Sequence, residues 1–215
     1  MLRFQDDIGK VHMHGRDTGD TLTARGEKAQ TRILEAAAEV FAQTGYNGST
    51  LDRIARRAGL TRAGVLHHFP SKLDILQAVL SERDDRNIAA VGRVTDSLRV
   101  FDTVVDVAVR DTEDVTLTRA FAVLLGEAAA LDSPTSAWFR THHRELTREI
   151  SAAVAAAIAE GTARADASPD DVAAEVIAVM DGLQSQWMIG GDAQTYLRLL
   201  GDYLARLRGY LLRAE

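Results

Sequence analysis

The chain has 215 residues, 46% of them hydrophobic, with only 3 prolines, which predicts an all-helical protein with a sizeable core. The absence of cysteine excludes a disulfide framework and a thiolate zinc site. No apolar run approaches the ~20 residues that span a bilayer, and residues 1–10 lack a secretion signal, so we expect no membrane partner and a cytoplasmic location. The net charge of −6 excludes a uniformly basic surface.

The charge is divided unevenly along the chain. Residues 23–72 carry 8 cations and 4 anions, whereas the residues after Lys72 carry 14 cations and 23 anions. A basic head on an acidic body is typical of a nucleic-acid contact confined to one end. We therefore predict three parts: a flexible N-terminal arm over residues 1–22, a DNA-binding head over 23–72, and a helical body over 73–215.

The arm is rich in Asp, Gly, His and Thr and shows no apolar periodicity. His12 and His14 could bind a metal weakly, and Lys10 and Arg16 could reach the minor groove of DNA. An exposed flexible segment explains these four residues better than either role. We assign no metal site and no cofactor.

The first predicted helix spans about residues 26–44 and presents one buried apolar stripe. After a turn at Asn47-Gly48, residues 50–72 predict two short helices joined by a tight turn. Thr50 and Thr61 would cap these helices, and Gly59 would end the first by adopting a positive φ. A three-helix core is expected around these side chains: Phe41, Ile54, Val65 and Phe69. Small residues at the exposed start of the second helix would let its backbone enter the major groove.

This helix-turn-helix resembles the DNA-binding domain of the TetR/AcrR family of bacterial transcription regulators, over roughly residues 24–75. The resemblance is carried by Ala37, residues 41–45, Ile54-Ala55, Ala58-Gly59-Leu60-Thr61, Gly64, His68-Phe69 and Ser71-Lys72. It implies that Arg62, Ala63 and Gly64 face base edges. It also implies phosphate contacts from Thr50, Thr61, His67, His68 and Lys72. Leu66 departs from the family pattern, in which a phosphate-contacting tyrosine is usual.

The body is predicted to begin with a fourth helix, from Ser71 to about Thr95, long enough to connect the head to the body. Five further helices are expected at roughly 100–110, 115–131, 134–162, 169–188 and 193–212. The last two are amphipathic, and the family resemblance favours a four-helix dimer interface built from them. Its expected residues are Val176, Leu183, Leu197, Leu200, Leu204, Leu207 and Leu211. The alternative is that both helices pack on their own body.

The resemblance also implies a small-molecule pocket in the body. Aromatic, methionine and amide side chains are the candidates for its lining. The expected lining residues are Phe101, Phe121, Leu125, Trp138, Met180, Gln184 and Trp187. Taken singly, each of them fits an ordinary core residue better than a ligand contact.

One pair of residues suggests chemistry of another kind. His142 and Glu145 lie three apart on one helix face and could hold a metal, but no further ligand follows at a recognisable spacing. A hydrogen bond between helices or an exposed helix face explains them better, and the sequence has no phosphate loop or nucleophile elbow. We therefore expect no enzymatic activity.

Together these features predict a ligand-responsive, DNA-binding transcription regulator. The resemblance implies a homodimeric repressor that a small molecule releases from a palindromic operator. The alternative is a helical ligand-binding or interaction module without sequence-specific DNA binding.

Overall fold

The computed structural model describes residues 19–91, 98–130 and 133–212, with the backbone alone for residues 19–24 and 88–91. Nine helices are described, which confirms the predicted all-helical fold. They are α1 (Gly19–Thr44), α2 (Leu51–Ala58), α3 (Arg62–His68), α4 (Lys72–Val91), α5 (Val100–Glu113), α6 (Val115–Ala128), α7 (Ser136–Ala159), α8 (Pro169–Gly190) and α9 (Ala193–Leu211). In the described ranges no helix is long and apolar enough to cross a membrane.

The first helix begins earlier than its apolar stripe predicts. α1 starts at Gly19, so residues 19–22, the end of the predicted flexible arm, are helical. Residues 19–28 contain no proline, so nothing in this stretch stops α1 from extending N-terminally beyond its apolar stripe. The rest of the predicted arm, with His12 and His14, lies outside the described residues. So do residues 92–95, the predicted end of α4.

The predicted caps of the two short helices are confirmed. The Thr50 side chain accepts a hydrogen bond from the Arg53 amide, and that of Thr61 accepts one from the Gly64 amide. Gly59 follows α2 with φ 64°, a left-handed conformation that costs glycine no Cβ clash. These caps set where each helix starts and therefore which side chains it exposes.

Two hydrophobic clusters form the interior. The first surrounds Phe41, Ile54 and Val65, which are fully buried, with Phe69 partly buried, as predicted for the head. It does not end at residue 72, because Phe121 and other α6 residues belong to the same cluster. The second cluster joins α5, α7, α8 and α9. The head is thus attached to the body by α6 packed on α1 as well as by the continuous helix α4.

Candidate nucleic-acid interface and ligand cavity

The eight residues expected at DNA are the N-cap of α2, the N-cap and five positions of α3 and the first residue of α4. On α3, Arg62, Ala63 and His67 are exposed, while Gly64 and His68 are half-buried. Val65 is fully buried on the opposite side and anchors the helix to the core. The exposed surface of this short helix therefore carries the small residues Ala63 and Gly64 between the basic residues Arg62 and His67. That shape suits entry into a major groove.

Polar contacts orient this surface. Arg62 Nη1 lies 3.1 Å from Asp52 Oδ2, and both side chains are exposed. A solvent-exposed pair of this kind contributes little to stability, so Arg62 can exchange Asp52 for a nucleic-acid acceptor at small cost. The hydroxyls of Thr50 and Thr61 accept hydrogen bonds as caps, which leaves each hydroxyl proton free to be donated to a phosphate. The rings of His67 and His68 meet edge to face at 5.2 Å.

Lys72 has a different environment from the one expected of a phosphate ligand. Its Nζ donates to the Tyr46 carbonyl at 2.6 Å and to the Ser49 carbonyl at 2.9 Å, and it lies 4.1 Å from the centre of the Tyr46 ring. Burial lowers the pKa of Lys72, and the negative charge of Glu127 offsets part of that shift. Lys72 therefore holds the turn between α1 and α2, with one N–H left for another acceptor.

Three further features of this region were not predicted from the sequence. Arg53 donates to Gln43, and Arg57 pairs with Glu39, so exposed α2 arginines tie that helix to α1. Arg32 donates to the Ala58 carbonyl at the end of α2. Glu127, from α6, accepts hydrogen bonds from the turn that precedes α2. Glu127 lies near the C-terminal end of a helix, where a negative charge is electrostatically unfavourable, and this placement was the sequence signal for its contact.

The body contains a cavity of about 360 Å³ between α4, α5, α7 and α8. Its apolar wall consists of Val100, Val104, Val107, Leu146, Ile150, Val176, Ile177 and Met180. Its polar wall consists of Arg83, Asp84, Asn87, Thr103, His142, Glu145, Arg148 and Glu149. The volume is within the range of small-molecule sites, and the mixture of apolar and polar groups is typical of them.

Helix α4 contributes the polar groups that connect this cavity to the rest of the body. Arg83 Nη2 donates to Asp111 Oδ2 at 2.8 Å, and its guanidinium lies 3.9 Å from the centre of the Phe121 ring. Asp111 also accepts from Gln184 Nε2 at 2.7 Å. Burial raises the pKa of Asp111, and the charge of Arg83 offsets part of the rise. This network ties α4 to α5, α6 and α8.

His142 belongs to the same wall. Its Nδ1 lies 2.9 Å from Asp84 Oδ2 on α4, and its ring stacks on Trp138 at 4.8 Å. This confirms the interpretation of His142 as a polar link between helices. Across the described ranges, no group of three or more His, Asp or Glu side chains is placed to hold a metal ion.

Of the seven residues expected to line a pocket, only Met180 lines this cavity. Phe101, Phe121, Leu125 and Trp138 pack in or against the two hydrophobic clusters. Gln184 is buried on Asp111, and Trp187 stacks on Tyr196 at 5.4 Å. The large side chains fill the core, and the apolar wall of the cavity is mainly valine and isoleucine, which periodicity cannot distinguish from other core residues.

The residues expected at a dimer interface require a correction. Val176, Leu200, Leu204, Leu207 and Leu211 are at most 8% exposed within a single protomer. Leu183 and Leu197 are half-buried against the same second cluster. These apolar stripes face their own body because α8 and α9 must cover α5 and α7. Any partner would meet the opposite faces of the two helices.

Comparisons with known proteins agree with this architecture. The family model described as "Bacterial regulatory proteins, tetR family" matches residues 33–79, and that described as "BetI-type transcriptional repressor, C-terminal" matches residues 99–209. The chain is similar to the HTH-type transcriptional regulator SrpR of Pseudomonas putida, with 52% identity over 60 residues. That match covers 28% of each chain, so this relative is matched over little more than a quarter of its length.

Solved structures show the same fold. NalD, the secondary repressor of the MexAB-OprM multidrug efflux pump in Pseudomonas aeruginosa, superposes with a TM-score of 0.71 at 21% identity, over 89% of this chain and 100% of NalD. The SmeT–triclosan complex superposes with a TM-score of 0.72 at 23% identity, over 83% of this chain and 90% of SmeT. The C-terminal family match alone covers more than half of the chain, and the N-terminal match covers its helix-turn-helix. The chain belongs to the tetR family of bacterial regulatory proteins.

Proposed function

We propose that this protein is a homodimeric repressor that binds a palindromic operator and leaves it when a small molecule occupies the body. The observation that carries the proposal is the exposed surface of α3. Arg62, Ala63 and His67 face outward beside two capping threonines, on a segment with a net charge of about +4. Arg62 would read base edges, and the threonine hydroxyls and His67 would contact phosphates.

Selection of bound duplexes from a random DNA pool, at fixed physiological salt, tests the operator. A palindrome with half-sites about one helical turn apart is expected. Arg62→Ala should lose preference for the enriched duplex by about 1–3 kcal/mol while retaining its affinity for scrambled DNA. Equal losses of affinity for both duplexes would show that Arg62 does not read bases. No enrichment, with binding that only fades as salt rises, would favour a module without sequence-specific DNA binding.

The dimer would form through the outward faces of α8 and α9. On α8, Ala174, Ala178 and Gly182 are exposed at intervals of four residues and lie on one face. On α9, Leu199 and Tyr210 are exposed apolar side chains. Small side chains allow a helix of a second copy to approach closely, and a two-fold axis there would place two α3 helices on one face of DNA. Sedimentation of the Gly182→Arg variant as a monomer would support this interface, whereas an unchanged dimer would refute it.

The effector would occupy the cavity beside α4. Arg83 and Asp84 lie on the cavity side of α4, and Lys72 lies at its head end, so a ligand that displaces the middle of α4 would tilt the turn before α2. Such a ligand must bind the two conformations with different affinity, or it shifts nothing. Because SmeT is similar in fold and was crystallised with triclosan, triclosan is a suitable first probe. A thermal shift together with release of the enriched duplex is the expected result, and binding without release would refute the coupling.

A further inference from the structure

The turn between α1 and α2 is held by a residue from the body. Glu127 Oε2 accepts a hydrogen bond from the Tyr46 amide at 2.6 Å, and its Oε1 accepts one from the Asn47 amide at 3.4 Å. Glu127 is the second-last residue of α6, and the turn leads directly into Thr50, the N-cap of α2. One carboxylate therefore connects the body to the start of the DNA-reading helices.

A cation holds the opposite side of the same turn. Lys72 Nζ donates to the carbonyls of Tyr46 and Ser49, and the Ser49 hydroxyl donates to the Tyr46 carbonyl at 2.6 Å. The amides of the turn thus face an anion from the body, and its carbonyls face a cation from the first turn of α4. Charged hydrogen bonds of this kind are roughly twice as strong as neutral ones. The turn has little freedom while both partners are in place.

Two sequence features are consistent with this contact. A glutamate near the C-terminus of α6 lies at the negative end of the helix dipole, and no basic residue lies in that turn to offset it. Gly45 adopts φ 65°, and a Cβ at this position would collide with the Glu127 carboxylate. Any other residue at position 45 would therefore both strain the backbone and displace Glu127.

We propose that Glu127 is the positioning residue of the helix-turn-helix: through the amides of Tyr46 and Asn47 it sets the orientation of α2 and α3 relative to the body. The inference rests on the proposed DNA-binding function. It also gives the body a second connection to the head, beside α4. A body movement that shifts the end of α6 would rotate the turn even if α4 stayed in place.

Glu127→Gln tests this proposal, because a positioning role and a purely electrostatic role of Glu127 predict opposite changes in DNA affinity. Glutamine keeps the shape but offers one acceptor oxygen, and its NH2 group would face the amide donors. We expect affinity for the enriched duplex to fall about tenfold, as for the loss of one charged hydrogen bond. The salt slope should stay unchanged, since no phosphate contact is lost. Simple electrostatics predicts the opposite, because removing an anion strengthens binding to any DNA.

Glu35→Gln is the matched control, since it removes the same charge from an exposed position on α1. It should leave affinity for the enriched duplex unchanged or slightly higher. Gly45→Ala should weaken specific binding in the wild-type background and weaken it less in the Glu127→Ala background, where the collision is gone and only the backbone strain remains. Equal effects of Gly45→Ala in both backgrounds would show that the carboxylate plays no part.

Amide hydrogen exchange read by NMR provides a test that needs no DNA. In Glu127→Gln the amides of Tyr46 and Asn47 should exchange at least tenfold faster, with the α1 and α6 core amides unchanged. Unchanged exchange at both amides, or wild-type or tighter binding to the enriched duplex, would overturn the proposal. If the wild type enriches no duplex, the proposed function fails, and the exchange comparison still decides whether Glu127 holds the turn.

Discussion

The buried pair of Arg83 and Asp111 allows a quantitative test of how α4 is attached to the body. Arg83 is 5% exposed and Asp111 is 3% exposed, and their Nη2 and Oδ2 atoms are 2.8 Å apart. Removing Asp111 leaves the buried Arg83 charge with Asp84 alone, whose carboxylate lies 3.7 Å away and also contacts His142. Asp111→Ala should therefore destabilise the protein by about 3–5 kcal/mol. Arg83→Met should cost less, because Asp111 keeps its hydrogen bond from Gln184 and can become protonated.

The double variant is expected to behave differently from the sum of the single ones. Burial raises the pKa of Asp111 despite the nearby guanidinium, so desolvation outweighs the attraction of Arg83. Replacing both charges by apolar groups, as in Arg83→Met with Asp111→Leu, should thus cost less at pH 7 than Asp111→Ala alone, although the buried Gln184 amide loses its acceptor. Urea unfolding at constant m-value measures all three variants. A cost below about 1 kcal/mol for Asp111→Ala would show that the unpaired Arg83 charge is not held in the interior, and would refute the reasoning.

The same pair predicts the direction of a pH effect. An aspartate whose folded pKa is raised binds more protons in the folded state than in the unfolded state between the two pKa values. The pair's contribution to stability therefore falls as the pH rises from about 4, the pKa of an exposed aspartate, to the raised folded value. The double variant lacks this fall, so its stability relative to the wild type should rise over that window. A relative stability that falls with rising pH would contradict the sign.

Three other variants test the site. Thr61→Ala should cost about 1 kcal/mol in urea unfolding through loss of the N-cap, and Thr61→Ser should restore it; no rescue by serine would contradict the capping role. Lys72→Met should lower specific DNA affinity with little change in salt slope, because its ammonium holds the turn; a slope flatter by about one ion would mean direct phosphate contact. Val104→Phe should fill part of the cavity and abolish the thermal shift by triclosan without affecting DNA binding; a retained shift would place the probe elsewhere.

Short-range signals were sufficient for the helices and for the head. Thr50, Gly59 and Thr61 determine local backbone conformation within a few residues, so the two short helices and their exposed faces could be predicted from spacing and capping alone. The start of α8 at Pro169 was predicted for the same reason, since Ser168 caps it locally. Where no cap or apolar stripe marks a boundary, as at the start of α1, the prediction was seven residues short.

Long-range packing decided everything that depends on which helix faces which. Periodicity showed that α8 and α9 each have an apolar stripe, but not whether Leu200 or Leu204 faces a second copy or its own body. It identified Phe121 and Trp138 as large apolar residues, but not that they fill a core while valines line the cavity. An amphipathic pattern shows that one helix face is buried, but it does not show which element packs against that face.

The sequence by itself therefore determined the helices, their caps, the basic head and the family. Only the tertiary structure placed Glu127 against the turn, turned Lys72 inward and assembled the polar wall of the cavity around Arg83. The physical reason is one of range. Caps and helix propensities act over three or four residues, whereas Glu127 meets Tyr46 across a separation of 81 residues, which no local pattern records.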